Sequence, residues 1–506
     1  MTGFVRWLIP DLAMLTSLLT LVFVLLLFDG TQKLFRDSDA GWHIRTGEVI
    51  LSGHGLPRSD PYSFSRFKQP WFAWEWGADV LSGAAHMAGG LAFVSGLYAL
   101  LIATATWLWF QLNWAVGGHF LIAGAMSILM LTTSSIHWHA RPHIFSWLFL
   151  LLTLLLAENP RRRLWMVACL SAAWANLHAS FFLLPVLLCI YAAGHFLGPL
   201  IWNGLEQDRE WRNGRWFGGA AVLAAVASLF NPYGFRVHEH IFRYLANREL
   251  LDRIGEFQSF NFHAEGAIQI LLTVLIAGMG AVLALGQRKL AHFAIGALFV
   301  VLSLRSARVL PVLAMLALPL ANSSITVALR EYGGFHPGLR RWAIGFVRYG
   351  TNLRALDTRF SGTAWAPFAA ALTFVVLSLP AVAAHAGFPA EQFPVNAAHA
   401  VAKLPIDARL LAPDMYGGYL IYRFEGTRKV WFDGRSDFYG AQFMKDYLRL
   451  VELRPGWRDQ VSQFGFTHAL LPGSAPLLAA LETNGWKRLH SDTVATLLQA
   501  PRGLKD

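Results

Sequence analysis

The stretch Arg36-Asp37-Ser38-Asp39-Ala40-Gly41-Trp42-His43-Ile44-Arg45 is the densest polar cluster in the chain. Two carboxylates two residues apart suit acid–base work. One takes a proton from an attacking hydroxyl while its neighbour orients a partner or a metal. The plainer alternative is that Asp37 caps a helix expected to begin near Asp39 and run to Leu51. Downstream stand Pro57, Asp60, Pro61, Tyr62, Ser63 and Phe64, then Trp71, Trp74, Glu75 and Trp76. Tryptophans around one glutamate suit a sugar platform, in which indole covers the apolar face of a pyranose and a carboxylate takes its hydroxyls. The competing role for such tryptophans is an interfacial belt.

Further cations come from distant segments: His137, His139, Arg141 and His143 in one turn, His178 after Asn176-Leu177, and Arg305 with Arg308. Ionisable groups near a membrane are costly and usually face a cavity or a partner. Arg305 and Arg308, spaced one helical turn apart, are expected to share a face and grip a phosphate; the alternative is snorkelling to headgroups. No zinc spacing, P-loop, GxSxG or HExxH pattern is present. A metal at Asp37 and Asp39 stays open, because two carboxylates and a histidine do not identify one.

These residues need elements to hold them, and composition says which kind. Of 506 residues 55% are hydrophobic and 14% charged, with a mean hydropathy of +0.42. That excludes disorder, coiled coil and an ordinary soluble enzyme, and predicts a polytopic membrane protein. The net charge of +11 then reads as cations facing anionic lipid rather than nucleic acid. The two cysteines, Cys169 and Cys189, lie in apolar runs and suit packing. With about 20 apolar residues needed per crossing, spans are expected near 8–28, 79–110, 118–136, 143–157, 164–177, 180–201, 217–231, 267–286, 290–304, 307–322 and 364–385. The first lacks a small-x-small cleavage site after it and is expected to be a retained helix.

Arginines in short loops set the expected orientation. Arg161–Arg163, Arg288 with Lys289, and the basic segment 323–363 share one side if the N-terminus is cytoplasmic. The loop 29–78, the histidine turn, the segment 232–266, the Arg305–Arg308 turn and the tail then lie outside. The expected organisation is a transmembrane domain over 1–386, with 29–78 as its outer catalytic loop, and an extracytoplasmic C-terminal α/β domain over 387–506. Strand-like runs in that tail are Arg409–Ala412, Tyr419–Phe424, Lys429–Phe432, His468–Leu471 and Val494–Leu498, alternating with helical stretches around 440–453 and 474–484.

The motifs D-S-D-x-x-W-H-I-x-x-G, P-x-S-D-P-Y-S-F and W-x-x-W-E-W after a first span resemble the bacterial integral-membrane glycosyltransferases of the GT-C superfamily. The tail motifs Tyr416-Gly417-Gly418-Tyr419-Leu420 and Trp431-Phe432-Asp433-Gly434-Arg435-Ser436-Asp437 are similar to the appended domain of one bacterial branch. The resemblance implies inverting transfer of a sugar from a polyprenyl-phosphate carrier to a hydroxyl of a glycan, lipid or protein acceptor, at the outer face of the bacterial cytoplasmic (inner) membrane. It implies an acidic base in the first outer loop, hence Asp37 or Asp39. Whether Mg or Mn is needed, or no metal at all, depends on whether the donor is a pyrophosphate or a monophosphate. The substrate-binding candidates are Trp42, His43, Arg45, Trp71, Trp74, Glu75, Trp76, His139, Arg141, His143 and His178. Arg305 and Arg308, placed by sidedness alone, are the lipid-phosphate candidates. The rival readings are a lipid-linked glycan ligase or polymerase, a multispan transporter and a non-catalytic glycan-binding scaffold. A transporter is disfavoured because the notable charges gather at the rim rather than at mid-bilayer.

Overall fold

In a computed structural model, residues 3–331 and 336–501 are described. Residues 332–335, within the expected basic segment, and the two chain ends lie outside them. The protein is a polytopic helical membrane protein with a small C-terminal sheet. Among the described residues six helices are long and apolar enough to cross a bilayer: Val5–Leu26, Trp76–Ala115, Phe120–His137, Ala179–Ile201, Ala267–Gly286 and Ala307–Glu331. His143–Glu158, Leu164–Ala175, Leu290–Arg305 and Trp365–Leu377 are shorter apolar helices. The stretch expected at 217–231 is the second half of Gln207–Ala227.

Local chemistry sets the breaks. Asp11 starts the first span by accepting from the Met14 amide at 2.9 Å. Trp76–Ala115 has 40 residues, about 60 Å at 1.5 Å per residue and twice what hydrocarbon requires. It divides at Gly89 and Gly90, whose backbones leave helical space, Gly90 at φ 63°. The part before the break packs on the loop helix Asp39–Val49. The approach is so close that a Cβ on Gly47 would sit 1.8 Å from the Asp79 carbonyl. The expected span 79–110 is therefore corrected: its first turns belong to the loop assembly.

Loops segregate to two ends of the bundle. At one end Gln287 Nε2 donates to the Ser324 carbonyl at 2.7 Å, and His119 Nε2 meets the Phe346 carbonyl at 3.0 Å beneath the basic helix Pro337–Asp357. At the other end meet the 29–78 loop, the histidine turn, the 232–266 segment and the C-terminal segment.

That segment carries four strands, β1 (Leu410–Leu411), β2 (His468–Pro472), β3 (Lys487–Ser491) and β4 (Ala495–Gln499), in the order β1-β2-β4-β3. β1 runs parallel to β2, and the other pairs are antiparallel. Two expected strands are corrected. Tyr419–Phe424 falls mostly in the helix Asp414–Arg423, and Lys429–Phe432 makes one isolated bridge, Val430 to Ser63. The reason for the helix is contact: a Cβ on Gly418 would lie 2.1 Å from the Ser38 carbonyl, and one on Gly41 the same distance from the Gly418 carbonyl. Only a glycine-faced helix approaches the loop that closely. One apolar core accordingly runs from the bundle into Tyr416, Tyr419, Leu470 and Leu497, while a second gathers around Trp431, Phe432 and Phe443.

Candidate active site

The 29–78 loop, the helix mouths and the C-terminal segment enclose a cavity of about 1150 Å³. Its most charged wall is built around Arg141. The guanidinium bonds Asp37 Oδ2 at 2.5 Å, Asp39 Oδ2 at 3.0 Å and Glu256 Oε1 at 2.9 Å. Arg308 Nε stands 3.4 Å from the other Glu256 oxygen, and His139 Nδ1 lies 3.7 Å from Asp37. Asp37 also accepts from the Asp39 amide at 2.9 Å, so it serves the start of the loop helix and faces the cluster at once. Pro142 follows Arg141 and lets the turn pass directly into the helix His143–Glu158, which fixes the height of the guanidinium.

Three carboxylates share one guanidinium, and the resulting imbalance appears in their protonation. Burial pushes Asp39 up to about 7, Arg141 pulling it down while Asp37 and Glu256 push it further up. Burial would raise Asp37 too, but Arg141 and His139 outweigh it and hold that carboxyl below its ordinary range. The pair is thus split into a held anion and a carboxyl that exchanges its proton near neutrality.

A second cluster lines the cavity further along. Burial raises Glu75 to about 8, with His178 Nε2 at 3.4 Å and His43 Nε2 at 3.8 Å from its two oxygens. Trp71 and Trp74 line the same cavity, as does Asp437 of the C-terminal segment, which accepts from His240 Nε2 at 2.8 Å. Burial works to raise Asp437, but the His240 bond wins and keeps it low. A neutral carboxyl, an ionised one and two indoles in one wall form a hydroxyl-binding, ring-stacking surface.

Of the residues expected from sequence, Asp37, Asp39, Trp42, Trp71, Trp74 and Glu75 line this cavity. So do His139, Arg141, His143, His178 and Arg308. Four do not. His43 is buried behind the wall, bonded to Asp79 at 2.6 Å. Arg45 pairs with Glu48 at 2.5 Å and donates to the Tyr422 carbonyl at 2.9 Å, tying the loop to the C-terminal helix. Trp76 donates to Asn176 at 2.9 Å. Arg305 and Arg308 do not share a helical face: the helix ends at Arg305, Ser306 is extended (φ −144°, ψ 121°), and Arg305 is left exposed while Arg308 turns inward.

Sequence reasoning missed Glu256 and Arg253 of the 232–266 segment. Both line the cavity, and the available signal was a carboxylate and a guanidinium on a stretch already assigned to the outer side. It also passed over Gly434 beside Asp433, Arg435 and Asp437. Asp433 and Arg435 form a two-bond pair at 2.7 Å each. Gly434, though, leaves room for the acid: a Cβ there would meet Asp39 Oδ1 at 1.9 Å.

The donor set was also a metal candidate. In this arrangement the Arg141 guanidinium fills the position between the two aspartates that a divalent ion would take. Among the described residues no group of three His, Cys, Asp or Glu is placed to hold one.

No family model and no curated protein matches the chain. Solved structures do. The oligosaccharyltransferase of Archaeoglobus fulgidus, tethered with an acceptor peptide, matches at 11% identity and a TM-score of 0.53 over 91% of this chain and 68% of that one. Its apo form matches at 10% identity and 0.53 over 97% and 74%. ArnT from Cupriavidus metallidurans, bound to undecaprenyl phosphate, gives 14% identity and 0.44 over 100% and 99%. The chain shares its overall fold with the Archaeoglobus oligosaccharyltransferase.

Proposed function

We propose that this protein is a membrane glycosyltransferase that moves a sugar from a polyprenyl-phosphate donor to a hydroxyl acceptor at the outer face of the cytoplasmic membrane, with inversion. The observation that carries the reading is the meeting, in one cavity, of the neighbouring Asp37 and Asp39 with Arg308 from a segment distant in sequence. The GT-C fold, and the acceptor peptide tethered in the Archaeoglobus enzyme, agree with a two-substrate transferase.

Asp39 is the base. A group that titrates near the working pH combines an available anion with real proton affinity, whereas Asp37 is held as an anion by Arg141 and His139. The acceptor oxygen attacks the anomeric carbon as its proton passes to Asp39. The carbon–oxygen bond to phosphate breaks on the opposite face, and the leaving lipid phosphate takes the electron pair. Arg308 and Arg253 at the cavity wall receive that charge in a site poor in water, where fixed cations act strongly. Arg141 does the work of a counter-ion to the acid pair. Trp71, Trp74 and Glu75 hold the transferred sugar.

Analysis of envelope glycans and glycolipids in a deletion strain tests the reading: one sugar is expected to disappear, and Asp39→Asn is expected not to restore it. Recovery of that sugar by the Asn variant would sink the assignment.

A further inference from the structure

We infer that the loops at one end of the C-terminal sheet form the acceptor subsite, and that the acceptor is the end of a glycan without negative charge; this rests on the transferase reading above. Strand directions bring those loops together. β1 is parallel to β2, so the residues that follow each strand emerge at the same end. β2 is antiparallel to β4 with Pro472 opposite Ala495, which sets the β3–β4 turn beside them. Asp414 and Met415 after β1, Gly473 and Ser474 after β2, and Thr493 and Val494 in the turn all line the cavity that holds Asp39. Strand-end loops of this kind are a common place for ligands.

Charge selects the ligand. This segment contributes Glu391, Asp414 and Asp437 to the wall, and among the described residues its one lining cation is Arg435. Arg435 is 2% exposed and is committed to Asp433 and Asp60 at 2.7 and 2.8 Å. An anionic acceptor would meet Glu391 and Asp414 with no cation of this segment free to receive it, while Arg253 and Arg308, from other segments of the same lining, are left to the donor phosphate. Asp414 is set for hydroxyls. Its Oδ1 accepts from Tyr447 at 2.7 Å and from the Met415 amide at 2.8 Å, and among the described residues Oδ2 meets no donor. Met415 beside it is 48% exposed and offers a soft apolar surface to sugar C–H groups. A peptide is disfavoured because the sheet's outer strands, β1 and β3, contribute no residue to the wall, so no strand edge is offered for pairing.

The test uses the full chain in lipid nanodiscs and reads binding, not turnover. Saturation-transfer NMR is run with neutral gluco- and manno-oligosaccharides, with oligogalacturonates of equal length and with a neutral hydroxyl-bearing peptide. Undecaprenyl phosphate binding is followed separately by thermal shift. A neutral oligosaccharide series is expected to bind and the galacturonates not to. Asp414→Asn should weaken the neutral series about ten-fold, the loss of one charge-assisted hydrogen bond. Glu391→Lys, at an exposed position and so safe for folding, should admit the galacturonates. Galacturonate binding by the wild type, binding of the peptide alone, no binding of any neutral series, or indifference to both substitutions would each overturn the inference. If undecaprenyl phosphate still binds in those cases, only the acceptor assignment fails; if it does not bind at all, the transferase reading fails with it.

Discussion

Two arginines in this protein, one buried and one partly exposed, are clamped by carboxylates, and they do different things. Arg435 is sealed: it bonds Asp433 and Asp60, and its guanidinium lies within about 5 Å of the Tyr62, Trp71 and Phe438 rings. Asp60 also accepts from the Tyr62 and Ser63 amides and from the Ser63 hydroxyl, and Asp433 from Tyr439, so these carboxylates are well supplied with donors. Arg141 serves three carboxylates, and its partners Asp37 and Glu256 keep 18% and 27% of their side-chain surface exposed. Buried and nearly neutralised, the first cluster ties the 29–78 loop to the C-terminal segment. The second is short of positive charge and opens on the cavity, which leaves one carboxyl poised to exchange a proton.

Breaking the open cluster should give the largest effect. Asp39→Asn is expected to lower turnover about 10³-fold, within the usual range for loss of a general base, while undecaprenyl phosphate still binds. Asp37→Asn should cost less, since it removes a neighbouring charge rather than the proton acceptor. Single-turnover assays with purified protein compare them; equal losses would mean that Asp37 shares the base role.

The sealed cluster should respond in stability instead. Arg435→Met strands two buried carboxylates and is expected to cost about 3–5 kcal/mol, read as a lower thermal midpoint and easier proteolysis of the C-terminal segment. Arg141→Lys should move stability little and turnover strongly. If the two substitutions behave alike, the distinction between brace and reaction centre is wrong.

How much of this was legible beforehand follows the same divide. The acid pair, the tryptophan-flanked glutamate and the histidine turn were visible because each is a local cluster of residues close in sequence. The helical membrane fold shared with the Archaeoglobus oligosaccharyltransferase was foreshadowed by motifs at both ends of the chain. Glu256 was hidden because a lone glutamate in a long loop carries no spacing signal, and only tertiary structure brings it 2.9 Å from Arg141. Arg305 was misplaced because a helical spacing was assumed across Ser306, where the backbone is extended. The two lost strands failed for another reason. Tyr419–Phe424 is apolar enough for a strand, but Gly418 just before it presses against Ser38 and Gly41, and that contact outweighs β propensity.

A smaller effect should come from the glycines that seat one cluster on the other. In Gly434→Ala the new methyl must displace the Asp39 carboxylate, so about 1–3 kcal/mol of stability is expected to go, with a fall in turnover that exceeds it. Gly418→Ala should match the stability loss and spare more of the turnover, because it pushes on the Ser38 carbonyl rather than on the acid itself. Thermal unfolding beside initial rates separates the two.

The subtlest prediction concerns pH. Asp39 acts as a base only when ionised, so activity should rise as pH increases through about 7. Glu75, raised by burial to about 8, is neutral at that point and can donate to a sugar oxygen; it loses this ability as pH passes through about 8. The profile of kcat/KM should therefore be a narrow bell with its acid limb set by the open cluster and its alkaline limb by the tryptophan-flanked glutamate. Glu75→Gln keeps a donor that does not titrate, and should retain most activity near pH 7 while abolishing the alkaline fall. Glu75→Asp, one methylene shorter and away from His178, should lose activity throughout. A Gln variant that keeps the alkaline limb would move it to another group, and would leave Glu75 as a support for His178 and His43 rather than a contact to the sugar.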